Sequence, residues 1–223
     1  MKDKSLIQES IRKIRAALPA GVTLIAVSKY HPAEAIEAAY EAGQRDFGES
    51  KAQDLKIKHE LLPKDIRWHF IGHLQSNKIK YIAPFIHLVH SIDSWRLLEE
   101  VDRHGAKNGR RIPCLLQIHI AQEETKFGFT PSECLEMLAD GKWRALLNIE
   151  IRGLMCMASN TEDEKQIASE FTAVHELFNT IRERHFAGNG SFSIISAGMS
   201  DDYPIAIEHG STHIRVGSSI FAE

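Results

Sequence analysis

Residues 22–43 read VTLIAVSKYHPAEAIEAAYEAG, and the way this stretch divides decides the fold. After Pro19 and Gly21, residues 22–27 form a β-rich apolar run that stops at Ser28-Lys29. Pro32 then opens a helix, because a first helical turn has no use for the N–H that proline lacks. Ile36, Ala39 and Tyr40 fall on one face of that helix, and Gly43 suits the left-handed C′ position that ends it. A short strand passing directly into an amphipathic helix is one βα unit.

The unit recurs along the chain. Further strands are predicted over 46–48, 67–71, 86–92, 112–120, 150–157, 192–196 and 213–216, with helices over 51–62, 75–82, 95–107, 131–138, 161–185 and 204–209 between them. The longest helix carries Ile167, Phe171, Val174, Phe178 and Ile181 on one face, and Thr161 and Glu164 are spaced as a capping box at its start. Eight strands in 223 residues, each but the last followed by a helix, predict an α/β fold, a (β/α)8 TIM barrel forming a single domain over residues 1–223. Residues 46–48 have the weakest strand pattern, and without them the alternative is a seven-stranded open sheet. An extra N-terminal helix over 5–18, with Ile7, Ile11, Ile14 and Leu18 at steps of three and four, plugs or flanks the barrel bottom.

With 27 basic against 30 acidic side chains the formal charge is −3, which leaves no basic field for a nucleic-acid backbone. No apolar run approaches the ~18 residues of a membrane span. The opening Met1-Lys2-Asp3-Lys4-Ser5 leads into an amphipathic stretch rather than the apolar core of a signal peptide. Cys114, Cys134 and Cys156 are odd in number, lack C-x-x-C spacing and sit in apolar surroundings, as reduced core thiols do. The expectation is a cytoplasmic monomer with neither nucleic acid nor membrane as partner.

Barrel sites lie at the C-terminal ends of the strands. Lys29 ends the first strand, where apolar walls would favour the neutral amine that forms an imine; the alternative is a strand-end lysine reaching into solvent. Ser196-Ala-Gly-Met-Ser200 ends the seventh strand and Arg215-Val-Gly-Ser-Ser219 the eighth. The loops after these two strands form the phosphate cradle of many such barrels. Gly198 and Gly217 allow close backbone approach, and Ser200 and Ser218 add hydroxyl donors. A lysine on strand one with a phosphate cradle on strands seven and eight points to a phosphorylated aldehyde, and pyridoxal 5′-phosphate fits. Arg215 could then face the pyridine nitrogen and keep it unprotonated, which weakens carbanion stabilisation but not imine formation. An ion pair of Arg215 with Glu208 or Asp201 is the alternative.

Val27-Ser-Lys-Tyr-His-Pro32, Phe47-Gly-Glu49, Trp68-His-Phe-Ile-Gly-His-Leu-Gln-Ser-Asn-Lys78, Gly198-Met-Ser-Asp201 and Ile214-Arg-Val-Gly217 with Ile220-Phe221 together resemble the pyridoxal phosphate homeostasis protein family. That family is a single-domain relative of the alanine racemase N-terminal barrel. The resemblance runs from about Leu24 to Phe221, with 68–78 its most specific part. It implies pyridoxal phosphate on Lys29, its phosphate near Ser200, Gly217 and Ser218 with Met199 beside them, and Arg215 at the ring nitrogen. Ser50, standing where the family usually has asparagine, completes the implied cofactor set. The implied role is control of free cofactor by covalent storage and hand-over to apo pyridoxal phosphate enzymes, without catalytic turnover. An amino-acid racemase or decarboxylase on the same barrel is the alternative. Ala197 and Ala222 also depart from the family pattern.

Other residues carry blander expectations. The twelve histidines read as surface and mouth side chains rather than metal ligands, with His87 and His90 on opposite faces of a strand. Met155, Cys156 and Met157 are expected to pack the barrel interior and mouth. Lys126 is a loop lysine that could serve as a second anchor or pair with the phosphate.

Overall fold

Each strand pairs in parallel with the next, and the eighth returns to the first, so the sheet closes in the order β1 to β8. The computed structural model describes residues 3–121 and 127–221. Helix α1 spans Lys4–Ala17, followed by β1 Thr23–Val27, α2 Ala33–Glu41, β2 Asp46–Glu49, α3 Ala52–Leu61 and β3 Arg67–Phe70. A 3-10 turn, Ser76–Lys78, leads into α4 Ile79–Ile82, then β4 Leu88–Ile92, α5 Trp95–Lys107, β5 Ile112–Ile118 and α6 Pro131–Asp140. After a second 3-10 turn, Lys142–Ala145, come β6 Ile149–Cys156, α7 Glu164–His185, β7 Ile194–Ser196, α8 Tyr203–Glu208, β8 His213–Val216 and α9 Ser218–Phe221.

The weakly patterned second strand is present. Ala26 of β1 faces Phe47, and Asp46 to Glu49 pair with Arg67 to Phe70, so β2 joins the ring on both edges and the open-sheet alternative falls. The helix predicted over 75–82 begins as a 3-10 turn, and the last strand does have a helix after it. The predicted capping box is also displaced. Asp163 caps α7, accepting from the N–H groups of Lys165 and Gln166, while the Thr161 hydroxyl accepts from the N–H of Asp163 itself, before the helix starts at Glu164. Thr130 and Glu133 form a capping box instead, at the start of α6.

Alternation along the strands divides the interior into two layers. Leu24, Ala26, Phe47, Trp68, Phe70, Ile195, Ile214 and Val216 belong to one continuous core with the helices. Leu88, Leu115, Met155 and Ile194 form a smaller cluster inside the bore, with Met157 against it. Met155 and Met157 thus pack the bore as expected, whereas Cys156 faces the outer layer. Helix α1 flanks the barrel: Ile7 and Ile11 are buried, Arg15 donates to the Gly43 carbonyl, and Lys4 pairs with Glu41.

Candidate functional site

The first strand ends in a tight turn. His31 N–H donates to the Ser28 carbonyl at 3.1 Å, closing residues 28–31, with Lys29 and Tyr30 at its centre. Tyr30 takes φ 69°, the left-handed region that costs a side-chain-bearing residue about 1–3 kcal/mol. What holds the turn is buried charge. Lys58 on α3 reaches the Ser28 carbonyl at 3.0 Å and Glu49 Oε1 at 2.6 Å, while Ser28 Oγ donates to the same Glu49 oxygen at 2.6 Å. Burial raises the Glu49 carboxyl, and the bonds from Lys58 and Ser28 pull it back.

Lys29 itself is exposed, so the expectation of an amine lying against apolar walls is not met. The reason is geometric: the strand ends at Val27, and the turn lifts the following residues to the rim. The ammonium lies 5.9 Å from the centre of the Tyr30 ring, with Lys51 on the same ring at 5.3 Å.

Arg215 is buried, only 4% exposed. Its neighbour across the sheet is Ile25, four residues below Lys29 along β1. The guanidinium pairs with neither Glu208 nor Asp201. It donates three hydrogen bonds, to Ser196 O at 2.8 Å, Ser196 Oγ at 2.7 Å and Cys156 O at 2.8 Å. Burial pushes it below its usual range, which Cys156 and Asp202 partly offset. These bonds engage three of the five guanidinium N–H groups.

The loops after β7 and β8 are joined to each other. Gly217 N–H reaches Ser200 Oγ at 3.4 Å, and Arg215 N–H reaches the Gly198 carbonyl at 2.9 Å. Met199 is exposed, and its N–H is held at 2.5 Å by the carboxylate of Asp202, a buried residue that sequence reasoning passed over for its neighbour Asp201. Ser218 opens α9, and Phe221 at the end of that helix stacks on His31, 4.9 Å between ring centres. The loops flanking Lys29 and Gly217 therefore brace one another. A Cβ on Gly217 would come within 3.2 Å of Val27, and one on Gly198 within 2.7 Å of Ala206. Glycine at 198 thus serves first to seat the loop on α8.

Ser50 follows β2, the strand beside β1, and lines a cavity of about 200 Å³ with Phe70 and His73. The structure brings Met199, Ser200, Gly217 and Ser218 together, sets Arg215 below them, and leaves Ser50 beside β1 in its own cavity. Lys126 lies outside the described residues.

The histidines depart furthest from expectation. His69 and His90 are almost wholly buried, at 1% and 0% exposure, and their rings are in contact. His87 also lies against His69, 5.3 Å between ring centres, because it precedes β4 and escapes the alternation that would set it apart from His90. Asp46, His69 and His87 bring potential ligand atoms within 4.8 Å of one another. That carboxylate is already engaged by Arg67 and His69, and Arg67 brings positive charge to the same spot. The signal for His69 was present in the sequence: it lies between Trp68 and Phe70, which face outward, so it must face the bore.

Residues 3–223 match the family described as alanine racemase, N-terminal domain. The pyridoxal phosphate homeostasis protein of Helicobacter pylori is 39% identical over 204 residues, 91% of this chain and 88% of that one. PipY of Synechococcus elongatus superimposes with a TM-score of 0.90 in its form without pyridoxal phosphate and 0.87 with pyridoxal phosphate bound. It is 35% identical, over 96% of this chain and 99% of PipY. The alanine racemase of Bartonella henselae, 15% identical with a TM-score of 0.76, matches 98% of this chain but 61% of its own length, a likeness of fold.

Proposed function

The chain belongs to the pyridoxal phosphate homeostasis protein family, and from that premise we propose that it binds pyridoxal 5′-phosphate covalently and holds it for hand-over, without catalytic turnover. Bound pyridoxal phosphate supplies an aldehyde that condenses with a lysine amine, releasing water, and a phosphate that asks for N–H and hydroxyl donors. The residues fit these demands. Lys29 offers an accessible amine at the rim, Ser200 and Ser218 offer hydroxyls on two joined loops, and Met199 and Gly217 shape the same wall. Ser50 stands at the end of β2, the strand next to the one that carries Lys29.

The observation that carries the reading is the buried Arg215, set on the wall below Lys29 with two N–H groups outside its three protein hydrogen bonds and, among the described residues, no carboxylate in salt-bridge contact. A guanidinium cannot take a proton from a ring nitrogen, so Arg215 supports retention of the group rather than carbanion chemistry upon it. Apo pyridoxal phosphate enzymes are the recipients in this reading, and the protein acts as a monomeric single domain. A cytoplasmic location agrees with three buried free thiols, two of them raised to about 12 by burial. Among the described residues no helix is long and apolar enough to cross a membrane.

The deciding assay mixes cofactor-loaded protein with an apo pyridoxal phosphate enzyme and follows recovery of that enzyme's activity. Recovery faster than from free cofactor at the same released concentration supports hand-over. Equal rates would reduce the role to passive binding.

A further inference from the structure

A continuous line of polar side chains runs through the bore beneath Arg215. At its lower end Arg67 grips Asp46, Nε to Oδ1 at 2.7 Å and Nη2 to Oδ2 at 2.5 Å. Asp46 Oδ1 then meets His69 Nε2 at 3.1 Å. His69 Nδ1 meets His90 Nε2 at 2.8 Å, and His90 Nδ1 meets Ser196 Oγ at 2.9 Å. Ser196 Oγ is the oxygen to which Arg215 donates. Asp46, His69, His90, Ser196 and Arg215 are all buried. They come from five different strands, so no local sequence feature assembles them.

The two ends fix the direction of every bond between them. A guanidinium only donates, and a carboxylate only accepts. Asp46 accepts from His69 Nε2, which leaves His69 Nδ1 and then His90 Nδ1 as acceptors, so the Ser196 hydroxyl donates to His90 Nδ1 while its oxygen accepts from Arg215. A neutral His90 then carries its proton on Nε2 and donates to His69 Nδ1. His69 in turn carries its proton on Nε2 and donates to Asp46. Burial disfavours a charge on either ring, and Asp46 is held far below the usual carboxylate range by His69 and Arg67 despite its own burial.

We propose that Asp46, His69, His90 and Ser196 form one directed hydrogen-bond relay that positions Arg215 from below, with Asp46, already paired with Arg67, as the acceptor at which the relay ends. The assignment of Arg215 to the cofactor rests on the proposed function; the direction of the relay does not. A buried guanidinium without an adjacent carboxylate needs fixed dipoles, and the relay aligns three of them toward one. The lower end is not sealed. Asp46 and Arg67 line a cavity of about 350 Å³ at the N-terminal end of the barrel, with His87, Arg152 and His213. The relay thus connects that face of the molecule to the floor of the candidate site. His69, His90, Asp46 and Ser196 are positioning residues in this scheme.

Side-chain 15N NMR of the unliganded wild type at pH 7.5 reads the relay without any substitution. Both His69 and His90 are expected as neutral rings protonated on Nε2. A ring protonated on Nδ1, or on both nitrogens, would overturn the proposal. Ser196→Ala removes the link to Arg215. It should release His90 to a mixture of forms and weaken pyridoxal phosphate binding roughly tenfold, the loss of a charge-assisted bond, and Ser196→Thr should restore both. Unchanged His90 signals and unchanged affinity in Ser196→Ala would equally overturn it. A wild type that takes up no pyridoxal phosphate while its rings are as assigned would sink the cofactor reading and support the relay's direction.

Discussion

The Lys58 ammonium donates to the Ser28 carbonyl oxygen at 3.0 Å, so the residue before Lys29 is tied to the outer helix layer as well as to its own strand. The same ammonium contacts Glu49, and the two side chains are 12% and 2% exposed. Lys58→Met strands a buried carboxylate, and removing one member of such a pair costs about 3–5 kcal/mol. Urea melts should show a loss of that order, with slower modification of Lys29 by pyridoxal phosphate. The double variant with Glu49→Gln should recover most of the stability. A loss below about 1 kcal/mol in Lys58→Met would show that the turn does not depend on this pair.

Tyr30 provides a test of stored strain. It is 75% exposed, so little packing is lost on replacing it, yet its φ is positive. Tyr30→Asn should leave stability unchanged or raise it, because asparagine tolerates the left-handed region. Tyr30→Val should lower stability by about 1–2 kcal/mol. Thermal melts of the two variants check the ordering.

Ser50 and Gly72 separate contact from packing. A Cβ on Gly72 would fall 2.4 Å from the Ser50 carbonyl oxygen, so Gly72→Ala should destabilise the protein by about 1–3 kcal/mol. Ser50→Ala should change stability little and weaken cofactor affinity about fivefold, the worth of one neutral hydrogen bond. Equilibrium dialysis alongside chemical denaturation distinguishes the two effects.

The histidines in the lower bore predict acid sensitivity. Burial lowers His87 and His213 from the ordinary 6.5 to about 4. A histidine whose folded value is depressed takes up its proton in the unfolded chain first. Stability is therefore fully present above pH 6.5 and is lost as pH falls toward 4, by about 3 kcal/mol for His213 alone. Denaturation midpoints measured from pH 7.5 to 4.5 should fall steadily below pH 6.5. A flat profile would contradict the half-buried, neutral state of these rings.

The outward faces of the strands made the barrel legible. Trp68 and Phe70, or Leu24 and Ala26, announce a buried layer whatever lies on the other face. The polar bore was harder to read, because a histidine within a strand looks the same whether it meets water or another histidine. His69 was recoverable from its flanking aromatics; its contact with His90 was not, since it depends on the register of β3 against β4. The support of Lys29 by Lys58 was hidden for the same reason, as it crosses from α3 to the end of β1. The loops after β7 and β8 were legible as a candidate site because strand number alone marks them in a barrel. The exposure of Lys29 was not, because it follows from a turn whose left-handed residue is a tyrosine rather than the glycine that would have signalled it.

The central claim is that Lys29 carries the cofactor. Incubation with pyridoxal phosphate, reduction with borohydride and peptide mapping by mass spectrometry test it directly. One reduced pyridoxyl group per chain, located on Lys29 and absent from Lys29→Ala, is the predicted result. A chain left unmodified, or an equal yield on another lysine in Lys29→Ala, would contradict it.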